Sequence, residues 1–212
     1  MPLRSPPEPF PLPSDLEASL VICRHGESTW ITEGRFQGAA DPPLSPLGEL
    51  QAAYLARRLA DPTRPPALPI PTGSPVAVWH SPLARTTATA VAIGAALATP
   101  LLADPDLREI AQGDWEGRFV AEILASDGER LRTWRRAPVG NEAPGGESLA
   151  EVDVRARQAL ARIVATLTDA SRAMVAPDPD RAPVIGYDGP PDERAWGIVI
   201  GHDGLMRIAM LA

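Results

Sequence analysis

Short apolar runs and longer segments of helical periodicity alternate along most of the chain. Three apolar runs predict β-strands, at 19–23, 76–79 and 197–200. Each run precedes a segment that predicts a helix, at 46–60, 82–97 and from 205 onward. Because this alternation is typical of helices that cover a mostly parallel sheet, we expect an α/β fold.

Capping signals mark the starts of three predicted helices. The dipeptides at 45–46 and 81–82 are both Ser-Pro, which places an N-cap residue before a proline suited to the first helical position. Ser148 and Glu151 have the spacing of a capping box. Apolar residues continue from it at helical spacing: Leu149, Val152, Ala156, Leu160, Ile163 and Leu167. This stripe predicts core packing rather than contact with a cofactor.

The remaining segments predict loops and two short helices. Residues 61–75 and 177–194 are rich in proline and contain glycine, which interrupts helices and strands. Weaker patterns at 119–124 and 129–136 predict the short helices. The sequence has no internal repeat, so we expect one domain.

Composition limits the size of the domain and the kinds of partner. The 212 residues suit one globular domain, which we place at 16–212 after a disordered, proline-rich lead-in at 1–15. The net charge of −7 argues against nucleic-acid binding and favours a small partner. The single cysteine, Cys23, excludes an internal disulfide, and no apolar run approaches the ~20 residues that cross a membrane. We expect a cytoplasmic protein.

Candidate chemistry lies where the predicted strands end. Arg24, His25 and Gly26 follow the first strand, and His202 follows the last. Arg85 lies in the first turn of a predicted helix, where a cation opposes the helix dipole and a bound anion would compensate it. Because ligands in open α/β sheets gather beyond the carboxyl ends of strands, these groups are expected to share one pocket.

These residue types suit the transfer of a phosphoryl group. Guanidinium forks match phosphate oxygens, and a neutral imidazole attacks phosphorus. The departing alkoxide also needs a proton. Glu109 supplies a carboxyl group for this step if burial or nearby negative charge keeps it protonated. This chemistry requires no metal ion.

Five motifs occur in one order along the chain. They are R-H-G-E-S at 24–28, R-F-Q-G-x-x-D-x-P-L at 35–44, S-P-L-x-R-T-x-x-T-A at 81–90, L-x-E at 107–109 and G-H at 201–202. Together they resemble the histidine phosphatase superfamily, also called the phosphoglycerate mutase-like family. The resemblance implies a three-layer αβα sandwich with a mostly parallel central sheet. It also implies a histidine acid-type phosphatase that acts on a small phosphorylated metabolite.

The resemblance further implies roles for the site residues. His25 is the nucleophile and Glu109 the proton donor, while the phosphoryl group is held by Arg24, Arg85 and His202. A phosphoglycerate mutase that uses 2,3-bisphosphoglycerate is an alternative, and only that alternative involves a cofactor. Assembly as a homodimer is compatible with either activity.

Flanking residues provide further candidates. Ser28, Gln37 and Gly38 are expected to contact substrate through a hydroxyl group or the backbone. Glu27 and Glu116 remain alternative proton donors.

Three other features leave their roles open. His80 either lines the pocket or only ends a strand, and Arg135-Arg136 either reaches an acidic substrate or faces solvent. Cys23 is interpreted as a small buried strand residue, because Thr29 stands where a cysteine-dependent phosphatase needs an arginine.

Two residues depart from the family pattern. Ile31 replaces a common asparagine, and Asp203 replaces a glycine and adds negative charge beside the expected substrate site. These changes support a second alternative, a catalytically weakened relative that binds phosphate. The chain ends in an apolar run soon after His202, so we expect a domain that is short at its C-terminus.

Overall fold

Parallel strands form the central sheet of the computed structural model, which describes residues 12–13, 16, 18–174 and 194–206. The strands are β1 (Ala18–Arg24), β2 (Val78–His80), β3 (Leu101–Ala103) and β4 (Ala195–Gly201). Their order in the sheet is β1-β4-β2-β3, and every pairing is parallel. Because Arg24 pairs with Gly201 and His80 pairs with Ile200, the carboxyl ends of β1, β4 and β2 lie at one edge.

Helices cover both faces of the sheet. They are α1 (Thr29–Glu33), α2 (Pro46–Ala60), α3 (Ala84–Leu97), α4 (Val120–Arg136) and α5 (Leu149–Met174). α2 and α3 pack on one face, and α5 packs on the other. This arrangement confirms the α/β fold with three layers and a parallel sheet. None of the helices within the described ranges is long and apolar enough to cross a membrane.

Alternate strand residues build the two halves of the core. On the face covered by α2 and α3, Val78 and Ile198 pack with Ile93. On the other face, Trp79 and Val199 pack with buried residues of α5: Val152, Ala156, Ile163 and Leu167. Neighbouring strand residues point to opposite faces, so a strand covered on both sides is apolar throughout. The stripe on α5 is therefore core, as its spacing predicts, except at Leu160, which is only half-buried.

β2 and α3 differ from their predicted boundaries. β2 covers Val78–His80 rather than 76–79, because only these residues pair with both neighbouring strands. α3 begins at Ala84, and its N-cap is Leu83 rather than Ser81. The Ser81 hydroxyl instead accepts from the backbone N–H of Leu83, so the Ser-Pro pair shapes the turn before the helix.

Short and broken elements account for the other differences. The sequence predicts neither α1 nor β3, which have five and three residues. The two helices expected at 119–124 and 129–136 form α4, whose backbone leaves helical geometry at Asp127. Three predicted features lie largely outside the described residues: the lead-in at 1–15, the loop at 177–194 and the helix from 205 onward.

The α5 stripe allows a direct test of the core. Ile163 is completely buried between α5 and the sheet, so Ile163→Ala is expected to lower the free energy of unfolding by about 2–5 kcal/mol. Urea denaturation measures this change. Val154→Ala, at a position of the same helix that is 58% exposed, serves as the control and is expected to cost less than about 0.5 kcal/mol. Equal losses in the two variants would contradict the assigned packing.

Candidate active site

His25 lies directly after β1, where the chain leaves the edge of the sheet. Its backbone N–H donates to the carbonyl of Gly201 at 3.3 Å, and the residue is buried. Nδ1 lies 2.6 Å from the carbonyl oxygen of Gly26. Since a carbonyl only accepts, Nδ1 carries the hydrogen and Nε2 keeps its lone pair. This tautomer leaves Nε2 able to act as a nucleophile.

The loop after His25 packs closely against α2 and α3. A Cβ atom added to Gly26 would overlap the backbone of Gly48 in α2, so only glycine permits this approach. The N–H of Gly26 also donates to Oγ1 of Thr89 in α3 at 3.2 Å. Both helices thus fix the backbone that positions His25.

His202 follows β4 and faces His25, with ring centroids 5.0 Å apart. Burial, and then the charges of Arg85 and Arg24, lower the pKa of His25 to about 4, although the hydrogen bond to Gly26 opposes this shift. Burial is also the main cause that lowers the pKa of His202 to about 2. Both imidazoles are therefore neutral at neutral pH.

Arg85 is 1% exposed in the first turn of α3, and backbone carbonyls orient its guanidinium group. Nη1 donates to Ala40 at 2.8 Å, and Nη2 donates to Gly38 at 2.9 Å. Nε is buried and has no hydrogen-bond partner among the described residues. Burial lowers the pKa of Arg85, whereas nearby carboxylates, with Glu109 first, raise it.

Asp41 supplies a carboxylate at the start of α3. Its Oδ1 accepts from the backbone N–H of Ala84 at 2.5 Å. This contact balances the helix dipole beside Arg85 without any external anion. The position of Arg85 in the first turn of α3 therefore does not by itself indicate a bound anion. The unpartnered Nε of its buried guanidinium group is the better indication of an anion site.

Ser28, Gln37 and Gly38 lie on the loop side of the site. The Ser28 hydroxyl donates to Oε1 of Gln37 at 2.5 Å and accepts from the N–H of Ile31 as the N-cap of α1. Gly38 has a φ of +56°, and its carbonyl accepts from Arg85. Ser28 uses its only hydrogen to hold Gln37, so its expected contact with substrate stays a prediction.

Glu109 enters the site from the loop after β3. Its Oε1 accepts from the N–H groups of Ile110 at 3.0 Å and Leu205 at 3.2 Å, and its Oε2 accepts from Gly204 at 3.3 Å. Burial raises the pKa of Glu109, although these amides and Arg85 oppose the shift. The carboxyl group therefore keeps its proton to a higher pH than an ordinary glutamate.

The two rival acids serve other parts of the structure. Oε1 of Glu116 accepts from the N–H groups of Ala39 and Gln112, both at 2.8 Å, and supports the loop beside Arg85. Oε1 of Glu27 accepts from the Ser45 hydroxyl at the start of α2. These contacts favour Glu109 as the acid of the site.

A clamp formed by Arg155 and Glu147 supports Glu109 and is not apparent in the sequence. Arg155 donates to both carboxylate oxygens of Glu147 at 2.7 Å. The same guanidinium group donates to the carbonyls of Asp106, Arg108 and Glu109. α5 thereby holds the backbone on either side of Glu109. The helical spacing of Arg155 gives no sign of these contacts, because they depend on tertiary packing.

The other predicted residues lie at or near the same edge of the sheet. Arg24 is exposed at the end of β1, and Asp203 directly follows His202. Ile31 is 39% exposed on α1. His80 is buried, and its Nδ1 lies 2.7 Å from the carbonyl of Ser81, which favours the interpretation as a strand end. Within the described ranges, no group of three or more His, Cys, Asp or Glu side chains is arranged to hold a metal ion.

Two relatives share part of the sequence. Phosphoserine phosphatase 1 of Hydrogenobacter thermophilus is 37% identical over 133 residues, which cover 63% of this chain and 58% of that protein. "Probable phosphoglycerate mutase GpmB" of Enterobacter sp. is 33% identical over 145 residues, which cover 67% and 61%. The chain thus matches less than two thirds of the length of either relative.

A solved structure extends the similarity beyond the matched sequence. The native structure of a mycobacterial glucosyl-3-phosphoglycerate phosphatase superposes with a TM-score of 0.66 at 29% identity, covering 90% of this chain and 76% of that one. The family model of the histidine phosphatase superfamily (branch 1) matches residues 20–176, which include His25, Arg85 and Glu109. With the motifs, the sheet and the paired histidines in agreement, the chain belongs to the histidine phosphatase superfamily.

Proposed function

We propose that the chain is a histidine acid-type phosphatase that hydrolyses a small phosphorylated metabolite through a phosphohistidine on His25. Buried nitrogens beside His25 carry this proposal. Nε of Arg85 and both ring nitrogens of His202 have no hydrogen-bond partner among the described residues. An unpaired buried polar group costs about 1–3 kcal/mol, and the oxygens of a phosphoryl group would remove that cost.

The first chemical step transfers the phosphoryl group to the enzyme. Nε2 of His25 forms a bond to phosphorus as the bond from phosphorus to the ester oxygen breaks. Arg24 and Arg85 stabilise the negative charge on the phosphoryl oxygens, and the N–H group of His202 donates to one of them. Glu109 gives its proton to the departing oxygen, so the products are phosphohistidine, an alcohol and a carboxylate.

The second step returns the enzyme to its starting state. A water molecule attacks phosphorus and gives a proton to the Glu109 carboxylate. The bond from phosphorus to Nε2 of His25 breaks, and inorganic phosphate leaves. Neutral His25 and protonated Glu109 are restored, which agrees with the directions of their pKa shifts.

Trapping of the covalent intermediate tests the proposal. Substrate labelled in its phosphoryl group is mixed with enzyme and quenched within milliseconds. We expect a label on the protein that is lost in acid, survives in alkali and maps to the peptide that contains His25. Turnover without any such label would reject the phosphohistidine route.

Phosphoglycerate mutase activity is the second candidate, because the relative named GpmB covers a similar part of the chain. A mutase returns the phosphoryl group to its product, whereas a phosphatase transfers it to water. Phosphate release and the conversion of 3-phosphoglycerate in the presence of 2,3-bisphosphoglycerate are therefore measured together. Conversion that far exceeds release would favour the mutase.

The role of Glu109 predicts how activity depends on the leaving group and on pH. Glu109→Gln is expected to lower kcat/KM by about 10²–10⁴-fold for alkyl phosphates. The loss is smaller for p-nitrophenyl phosphate, because nitrophenolate leaves without a proton. Rates for both esters show whether the losses differ, and equal losses would contradict proton donation by Glu109.

The pH profile of kcat/KM provides a second readout for the same variant. Activity falls at low pH as His25, with its pKa of about 4, becomes protonated. Activity also falls as the pH rises through the raised pKa of Glu109, since the acid form is lost. Glu109→Gln is expected to abolish the fall in kcat/KM that Glu109 causes at high pH and to keep the fall at low pH.

A further inference from the structure

A cavity of about 370 Å³ lies directly against Glu109. Glu109 belongs both to this cavity and to the candidate active site, and Ala39 lines the cavity next to Ala40, whose carbonyl accepts from Arg85. Gly145 and Gly146 contribute backbone to the cavity wall. Under the proposed function, Glu109 protonates the oxygen of the leaving alcohol. The rest of that alcohol therefore extends into this cavity, and the cavity walls determine which alcohols fit.

Two of the charged groups in the cavity wall already neutralise each other. Arg155 and Glu147 both line the cavity, and they form a two-point ion pair with both distances at 2.7 Å. Oε2 of Glu147 also accepts from the N–H of Ala111 at 3.2 Å. This pair is a fixed part of the wall and has little capacity left for a ligand. Glu109 adds no charge while it is protonated.

Two other charges in the wall have no partner of opposite sign among the described residues. The guanidinium group of Arg108 is exposed and forms no hydrogen bond or ion pair with any described residue. The carboxylate of Glu151 accepts from the N–H and the hydroxyl of Ser148 at 2.8 and 2.7 Å, and both are neutral donors on one oxygen. The cavity therefore presents one uncompensated cation and one uncompensated anion.

We propose that this cavity selects a leaving group that carries both a carboxylate and an ammonium group, as in a phosphorylated hydroxy amino acid. Arg108 binds the carboxylate through its planar fork, and Glu151 binds the ammonium group. A leaving group with only one of these charges leaves the other wall charge unpaired. This inference rests on the proposed function, since it assumes hydrolysis at His25.

Four alkyl phosphates of similar size distinguish the effect of the carboxylate from that of the ammonium group of the leaving group. O-phosphoserine has both groups, phosphoethanolamine has only the ammonium group, 3-phosphoglycerate has only the carboxylate, and glycerol 3-phosphate has neither. We expect kcat/KM, measured by phosphate release, to be highest for O-phosphoserine, by about tenfold or more over each of the others. Similar values for all four esters would overturn the inference.

Variants assign each preference to one side chain. Arg108→Ala is expected to reduce the preference for O-phosphoserine over phosphoethanolamine about tenfold, and Arg108→Lys, which keeps the charge, to restore part of it. Glu151→Gln, which can still form the helix capping box, is expected to reduce the preference for O-phosphoserine over 3-phosphoglycerate. The preferences are ratios, so a general loss of activity does not affect them.

A matched control variant and a substrate whose leaving group has neither a carboxylate nor an ammonium group keep the outcomes distinct. Arg57→Ala removes an exposed guanidinium group from α2, outside the cavity, and is expected to leave both ratios unchanged. If p-nitrophenyl phosphate is hydrolysed in a His25-dependent way and Arg108→Ala leaves the ratios unchanged, only the inference about the cavity fails. If no phosphate ester is hydrolysed, the proposed function fails, and the inference fails with it.

Discussion

His25→Ala is expected to lower the rate of phosphate release by about 10⁴-fold or more, because removal of a covalent nucleophile leaves no group to accept the phosphoryl group. Arg85 would still bind phosphate, since the carbonyls of Gly38 and Ala40, and not His25, orient its guanidinium group. Steady-state release of phosphate measures the rate, and calorimetric titration with inorganic phosphate measures the retained binding.

His80→Ala is the matched control for this loss. His80 is also a buried histidine at the end of a strand, but its Nδ1 contacts the carbonyl of the following residue and its role is structural. We expect this variant to keep activity within about tenfold of the parent wherever circular dichroism shows a folded protein. Turnover by His25→Ala close to that of the parent would exclude His25 as the nucleophile. If His25→Ala loses phosphate binding as well as turnover, the substitution has disrupted the structure of the whole site.

The meeting of His25 and His202 follows from the strand pattern. Each histidine lies two residues after the end of an apolar run, and β1 and β4 are neighbours in the sheet. Parallel neighbours end at the same edge, so residues that are far apart in sequence lie with ring centroids 5.0 Å apart. This part of the site is predictable, because strand ends are marked by local composition.

The supports of the site are not predictable in the same way. Asp41 contacts the start of α3 from a distant loop, and Arg155 holds the backbone around Glu109 from α5. Asp41 is part of the motif at 35–44, but the motif does not show that it contacts α3. Nothing in the local sequence of Arg155 distinguishes it from an ordinary surface residue. Their roles depend on how loops and helices pack in three dimensions. The Ser-Pro pair at 81–82 predicts the wrong N-cap for α3 for the same reason. Asp41, which is distant in sequence, supplies the carboxylate that accepts from the N–H of Ala84 at the start of this helix.

Arg85→Lys is expected to lower kcat/KM by about 10³-fold, although the positive charge is kept. Arg85 uses two nitrogens to donate to the carbonyls of Gly38 and Ala40, which leaves Nε, unpartnered among the described residues, to donate to a phosphoryl oxygen. A lysine has one ammonium group that cannot make all three contacts with the same geometry. Initial rates of phosphate release with the best of the four alkyl phosphates measure the loss.

Arg58→Lys provides the matched control, because Arg58 also donates to two backbone carbonyls, those of Asp61 and Pro66, but lies on α2 outside the site. This substitution is expected to change kcat/KM by less than about threefold, since only an exposed surface contact is altered. If both lysine variants lose activity to the same extent, the effect of Arg85 is structural. A loss confined to Arg85→Lys, with inorganic phosphate also bound more weakly, assigns a contact with the phosphoryl group to the guanidinium group of Arg85.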